Sequence, residues 1–240
     1  MHAAKYLGLK TPISYSWMKA RPLKAKHGVN FAFGGTGLTN TTATVHAGLP
    51  NMTSQIDLFQ QMLSGNDVVR INSDLSDSIA YVSAVGNDYA TFIATGGTVQ
   101  ELPSFIAKVV NQLTLSMQRL LGLGIRRILV TGLQPLGCAP QITAIDSFRR
   151  CNSTFNSAVQ LHNALLQQAV SNQSDVIHIL DLYNSFFSAF KKKDSSSVWI
   201  FGHNPIRTRI DPMCIIQSDF QIESDAHTKL DLTTTVIDLH

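Results

Sequence analysis

Two short glycine-containing segments carry the residue types needed to hold a developing negative charge. The apolar run Val29–Phe33 leads into Gly34-Gly35-Thr36-Gly37, and Ser78–Val85 leads into Gly86-Asn87-Asp88-Tyr89. Glycines there let a backbone N–H approach a ligand with no Cβ in the way, and the Asn87 side chain offers an NH₂ donor. Two donors aimed at one point form an oxyanion hole, and deleting one such donor typically removes roughly 3–4 kcal/mol of stabilisation in acyl transfer. Both segments also fit ordinary turns. A third reading is nucleotide binding, because Gly35-x-Gly37-x-x-Asn40 nearly matches a dinucleotide fingerprint and Asp57 stands where a ribose-binding acid would be expected. Its third glycine is missing, and Thr36–Pro50 has no helical period that would set a helix N-terminus against a pyrophosphate.

The elements that must position these segments alternate. Val29–Phe33, Ser78–Val85, Arg127–Gly132 and Val176–Leu182 read as buried strands. Met52–Leu63, Glu101–Leu121, Ser153–Ser171 and Asn184–Phe190 read as helices; the second places Phe105, Ile106, Val109, Val110, Leu113, Met117, Leu120 and Leu121 on one face. Gly122 and Gly124 stop that helix, and Lys191-Lys192-Lys193 suits the negative end of the last one. Such alternation predicts an α/β fold with a parallel sheet and helices on both faces, in which ligands collect at the carboxyl ends of the strands. Beyond about Asp194 the hydrophobes lose their period, so 195–240 reads as an irregular tail.

With 44% hydrophobic and only 15% charged residues, against ~25% charged in typical globular chains, a disordered or solvating chain is excluded. No apolar run approaches the ~18 residues that span a bilayer, and Met1–Lys10 lacks the pattern of a secretory leader. The net charge of +3 is uneven: Met1–Ile56 carries Lys5, Lys10, Lys19, Arg21, Lys24 and Lys26 and no acid. A targeting peptide or a nucleic-acid arm could produce this, but charges interspersed with Trp17, Tyr6 and Tyr15 fit a structured, solvated edge better. Cys138, Cys151 and Cys214 match no zinc spacing. Asn40, Asn51, Asn152 and Asn172 each begin a glycosylation sequon, where composition alone predicts about two.

Further segments carry a resemblance: Tyr-Leu-Gly-Leu-Lys-Thr-Pro-Ile-Ser-Tyr (6–15), Gly-Val-Asn-Phe-Ala-Phe-Gly-Gly-Thr-Gly (28–37), Leu-Pro-Asn-Met-Thr-Ser-Gln-Ile-Asp (49–57), Gly-Asn-Asp-Tyr (86–89), Gln-Pro-Leu-Gly-Cys-Ala-Pro (134–140), Cys-Asn-Ser-Thr-Phe-Asn (151–156) and Leu-His-Asn (161–163). In this order and spacing the chain resembles the plant GDSL esterase/lipases of the SGNH hydrolase superfamily, from about Tyr6 to Lys193. The resemblance implies a three-layer α/β/α, flavodoxin-like fold and hydrolysis of carboxylic acyl esters through a serine acyl-enzyme. It places the oxyanion donors at Gly35, with Gly34 as fallback, and at Asn87; Val85 replaces the first glycine of the Gly-x-Asn-Asp block. It also implies a Cys138–Cys151 bridge, a secreted glycoprotein in lipid metabolism, and no cofactor or metal. The expected partner is a small-molecule or lipid acyl ester, with no nucleic acid and no membrane-spanning segment.

Two family blocks have no match. The chain contains no Gly-Asp-Ser; its Asp-x-x-His string, Asp175-Val-Ile-His178, runs into the strand read at Val176–Leu182 and does not stand as a late block, and Asp225-Ala-His227 has the wrong spacing. A serine needs an imidazole base within ~2.6–3.2 Å and a carboxylate to orient that base. Ser83, His46 and His203 are substitutes by residue type only, and Cys138 as a nucleophile lacks a defined histidine partner. In the family the serine sits on a central strand between those beginning here at Val29 and Ser78, so the resemblance implies an incomplete domain over 1–194 with that strand missing, as in a truncated isoform. The expected product is an inactive or very weak esterase. The alternatives are a non-catalytic acyl-ester binding or regulatory isoform, and a nucleotide-binding domain.

Overall fold

The computed structural model describes residues 8, 10–20, 27–39, 49–65, 75–84, 86–191 and 213–219. In chain order the elements are β1 (Ile13–Ser14), α1 (Tyr15–Ala20), β2 (Gly28–Asn30), β3 (Phe33–Gly34), α2 (Met52–Leu63), β4 (Ile79–Ala84), α3 (Asn87–Ala94), α4 (Leu102–Gly122), β5 (Arg127–Thr131), α5 (Pro140–Thr143), α6 (Ser153–Val170), β6 (Ile177–Leu180), α7 (Leu182–Lys191) and β7 (Met213–Asp219). Every strand pairing is parallel, in the order β1-β2-β7-β4-β5-β6, and β3 also pairs with β7. This is the expected α/β architecture.

The helices follow from their sequences. α2 buries Met52, Gln55, Ile56, Phe59 and Met62 along one stripe, and Asn51 caps it by accepting the Ser54 N–H at 2.9 Å. α4 buries Ile106, Val109, Val110, Leu113, Met117 and Leu120, carries its proline in the first turn where no N–H is missed, and gives way to Gly124 at φ 106°. α2 packs on α4 and α4 on α6. The order β1, β2, β4, β5, β6 advances in one direction, so right-handed crossovers put these helices on one face. α7 follows β6 and is tied to α6, Gln160 Nε2 donating to the Tyr183 hydroxyl at 2.8 Å. β4 is buried on both faces, as parallel strands are; Ala80, Val82, Ile128 and Val130 form the middle of the core.

Three sequence expectations need correction. Val29–Phe33 is not one strand: the Asn30 side chain accepts the Ala32 N–H at 2.9 Å, removing that group from a ladder and dividing the run into β2 and β3. α6 is rotated from the face that Phe155, Val159, Leu161, Leu165, Leu166 and Val170 predict. It buries Asn156, Val159, His162, Leu166 and Val170 and leaves Leu161 36% exposed, because polar residues are drawn inward to partners described below. Most consequential is the central position of the sheet, which is not vacant. Met213–Asp219, inside the segment read as irregular, lies between β2 and β4 with Val29 and Ala80 both in register with Cys214. Two flanking strands with unpaired buried edges create a strong demand for any seven residues able to run extended between them.

Candidate active site

The two segments singled out for chemistry meet at the carboxyl edge of the sheet. Gly35 follows β3 at φ 79°, a conformation that favours glycine, and Gly86 introduces α3 at φ 122°. Asn87, the first residue of α3 and only 2% exposed, donates from Nδ2 to the Thr36 carbonyl at 2.7 Å, one peptide beyond Gly35. That bond uses one of the two amide hydrogens of Nδ2. The N-terminus of α3 adds a positive partial charge to the same region.

The loop carrying Gly35 is held from three sides. The buried Asp88 carboxylate accepts from the Leu38 N–H at 2.9 Å, the Thr39 N–H at 3.1 Å and the Thr39 hydroxyl at 2.9 Å. Gln55 on α2 donates to Thr36 Oγ1 at 3.3 Å, while Thr36 donates that hydroxyl to the Phe33 carbonyl at 2.8 Å. Met52 N–H at the start of α2 closes on the Gly37 carbonyl at 3.0 Å. The Asn-Asp pair of the motif therefore divides its work, with Asn87 on the Thr36–Gly37 peptide and Asp88 on the two that follow it. Sequence reasoning found Asn87 and missed Asp88. The signal was its adjacency, since a buried carboxylate needs several donors and a loop with free N–H groups supplies them.

The other predicted residues lie elsewhere. Ser83 is buried in β4, where its Oγ accepts from the Thr131 hydroxyl at 3.2 Å. Asp57 pairs with Arg119 at 2.7 Å on the half-exposed α2–α4 surface, so this acid is engaged by a cation at the helix surface and not by the Gly35 loop. Cys138 and Cys151 are joined by a disulfide, which removes Cys138 as a thiol nucleophile. Asn51 and Asn152 cap α2 and α6, and Asn172 is exposed in the turn after α6. Asn40, His46, His203, Asp225 and His227 lie outside the described residues. Among the described residues no cluster of His, Cys, Asp or Glu could hold a metal ion, and no helix is long and apolar enough to cross a membrane.

Two features were not visible in the sequence. A buried pair joins α3 to α6: the Tyr89 hydroxyl and His162 Nδ1 share a hydrogen bond of 2.7 Å, and His162 Nε2 finds no partner among the described residues. Burial lowers the His162 pKa to about 4, so the ring is neutral at pH 7; burial, and then the nearby Asp88 charge, push the Tyr89 hydroxyl well above its usual range. Beside Tyr89 opens an apolar cleft of about 90 Å³ lined by Phe92, Ile93, Leu102, Leu136, Phe155 and Ala158. Its floor follows β5 and is clasped to α6. Asn163 accepts the Leu133 N–H at 2.8 Å and donates to the Leu133 carbonyl at 3.0 Å, and Asn156 accepts the Gly137 N–H at 2.9 Å. A Cβ at Gly137 would overlap the Asn152 carbonyl.

Comparison with known proteins settles the family. The model of the GDSL-like lipase/acylhydrolase family matches residues 3–199. The chain belongs to that family. Two GDSL esterase/lipases of Arabidopsis thaliana are 44% and 42% identical to it over 223 and 219 residues, each covering 88% of the chain. Acetylajmalan esterase 2 of Rauvolfia serpentina is 26% identical over 76% of it. The chain spans 58%, 59% and 55% of the lengths of these three relatives.

Proposed function

We propose that this GDSL-family chain carries the oxyanion half of a carboxylic ester hydrolase, with Gly35 and Asn87 as its donors. The observation that carries the reading is the 2.7 Å bond from Asn87 to the Thr36–Gly37 peptide. It puts a side-chain donor and a glycine loop beside each other at the sheet edge where ligands collect. In acyl transfer a nucleophile adds to the carbonyl carbon and the carbonyl oxygen takes the charge. The Asn87 side-chain amide, the Gly35 backbone and the α3 N-terminus are the groups this chain would bring to that stage. The sequence contains no Gly-Asp-Ser, and its Asp-x-x-His string, Asp175–His178, runs into strand β6, so hydrolysis by this chain is expected to be very slow; losing a nucleophile or base costs roughly 10⁶-fold in kcat.

A second reading, a non-catalytic acyl-ester binding or regulatory isoform, is favoured by the apolar cleft beside Tyr89, which suits the alkyl part of an ester. Secretion and glycosylation are part of the proposal, and the disulfide and the sequons support them. The purified chain should bind an N-methylbutanamide ester analogue saturably and hydrolyse p-nitrophenyl butyrate far below a full-length relative. Turnover near that of the relative would mean the nucleophile has been overlooked, and lack of binding would remove both readings.

A further inference from the structure

Among the described residues, the pairings divide the sheet into two halves that no ladder joins directly. One half is β1-β2, with β3 beside it, and the other is β4-β5-β6; among these strands β7 is the one that pairs with both. β3, which leads into Gly35, has β7 as its partner. β4, which leads into Asn87, pairs with β7 along Ile79–Ala84. Outside this strand, the Gly35 loop is linked to α3 by the side-chain bonds of Asn87 and Asp88. A few bonds at one edge fix a separation weakly, whereas a central ladder of seven residues fixes register along its whole length.

We propose that Met213–Asp219 is an intramolecular clasp strand, and that its docking between the half-sheets aligns the Gly35 loop with Asn87. The strand is delivered over residues 192–212, and closing so long a connection carries an entropic cost that grows only slowly with length. A strand seated far from its sequence neighbours can also leave as a unit, so the alignment of the donor pair becomes coupled to the state of the tail.

Cys214 provides the test. Its register partners are Val29 on one side and Ala80 on the other, and adjacent strands lie about 4.8 Å apart, within disulfide reach. In the full chain, Val29→Cys and Ala80→Cys should each form a disulfide with Cys214 on mild oxidation, read by peptide mass spectrometry. Asn30→Cys, one register step away, should remain unlinked to it. Only a strand seated between the two halves gives both links; one link alone, or neither, overturns the clasp. Oxidation of the Val29→Cys chain should also slow hydrogen exchange at the Leu38 and Thr39 amides at least tenfold relative to its reduced form. Unchanged exchange there would overturn the coupling to the donor loop. Neither readout involves ester chemistry, so failure here is distinct from failure of the proposed function.

Discussion

The side-chain amide of Asn87 donates to the Thr36 carbonyl across 51 residues of chain and so fixes the Thr36–Gly37 peptide against the first turn of α3. Replacing Asn87 by Ala removes this buried bond and one donor together. We expect a stability loss of about 1–3 kcal/mol by denaturant titration, from the orphaned Thr36 carbonyl. We also expect amide-analogue binding to weaken measurably. If stability falls while binding holds, Asn87 only braces the loop.

Asp88 predicts a different pattern. Its carboxylate accepts three hydrogen bonds from Leu38 and Thr39. Asp88→Ala should cost at least ~1.5–3 kcal/mol, the scale of one bond to a charged group, and should accelerate exchange at the Leu38 and Thr39 amides. Protection equal to that of the unaltered chain would contradict the clasp between α3 and this loop.

His162 gives the fold a pH dependence of known sign. Its folded pKa is lowered to about 4 by burial, against an ordinary 6.5, so the unfolded chain binds the extra proton first. The contribution is therefore complete above about pH 6.5 and lost progressively as pH falls toward 4, on the order of 3 kcal/mol in all. His162→Phe should be less stable at pH 7, because Tyr89 loses its partner, yet show a flatter decline between pH 6.5 and 4. Parallel declines in both proteins would show that the ring does not control this range.

Reducing the Cys138–Cys151 bridge releases a loop with a sequence separation of 13. Cys151→Ser should lower stability by ~3 kcal/mol on the chain-entropy scale, measured by thermal or urea unfolding. A loss below experimental error would indicate that the Asn156 and Asn163 clasps already hold the loop.

The sequons are not equivalent. Asn152 Oδ1 caps α6 by accepting the Phe155 N–H at 3.1 Å, whereas Asn172 is exposed in a short turn and caps nothing among the described bonds. Asn152→Ala should cost about 0.5–2 kcal/mol, and Asn172→Ala should stay within ~0.5 kcal/mol. Expressed in a secretory host, the chain should carry a glycan at Asn172, detected by mass spectrometry.

The parts of this fold that were legible in the sequence are those whose pattern is local. Met52–Leu63 begins and ends where its apolar spacing predicts. α4 differs by one residue at each end, because a long stripe with a proline at its start and glycines at its finish leaves little freedom. The helix α3 was hidden. Gly86-Asn87-Asp88 has the composition of a turn, and only tertiary partners for both polar side chains make a helix start there. The strand β7 could not have been read from Met213–Asp219, since its place is set by the vacancy between β2 and β4, two elements far away in sequence. Asp88 and His162 share that character: their roles depend on which loop or hydroxyl the fold delivers to them.

Asn163 gives Leu133 a partner for both its N–H and its carbonyl, the service a neighbouring strand would otherwise provide. The floor of the apolar cleft is thus mechanically part of α6, and Phe155 and Ala158 on that helix form the opposing wall. Floor and wall cannot separate independently. A guest too wide for the space must displace a whole helix or break the amide bridge, so the cleft sorts its guests by girth and does not mould itself around them.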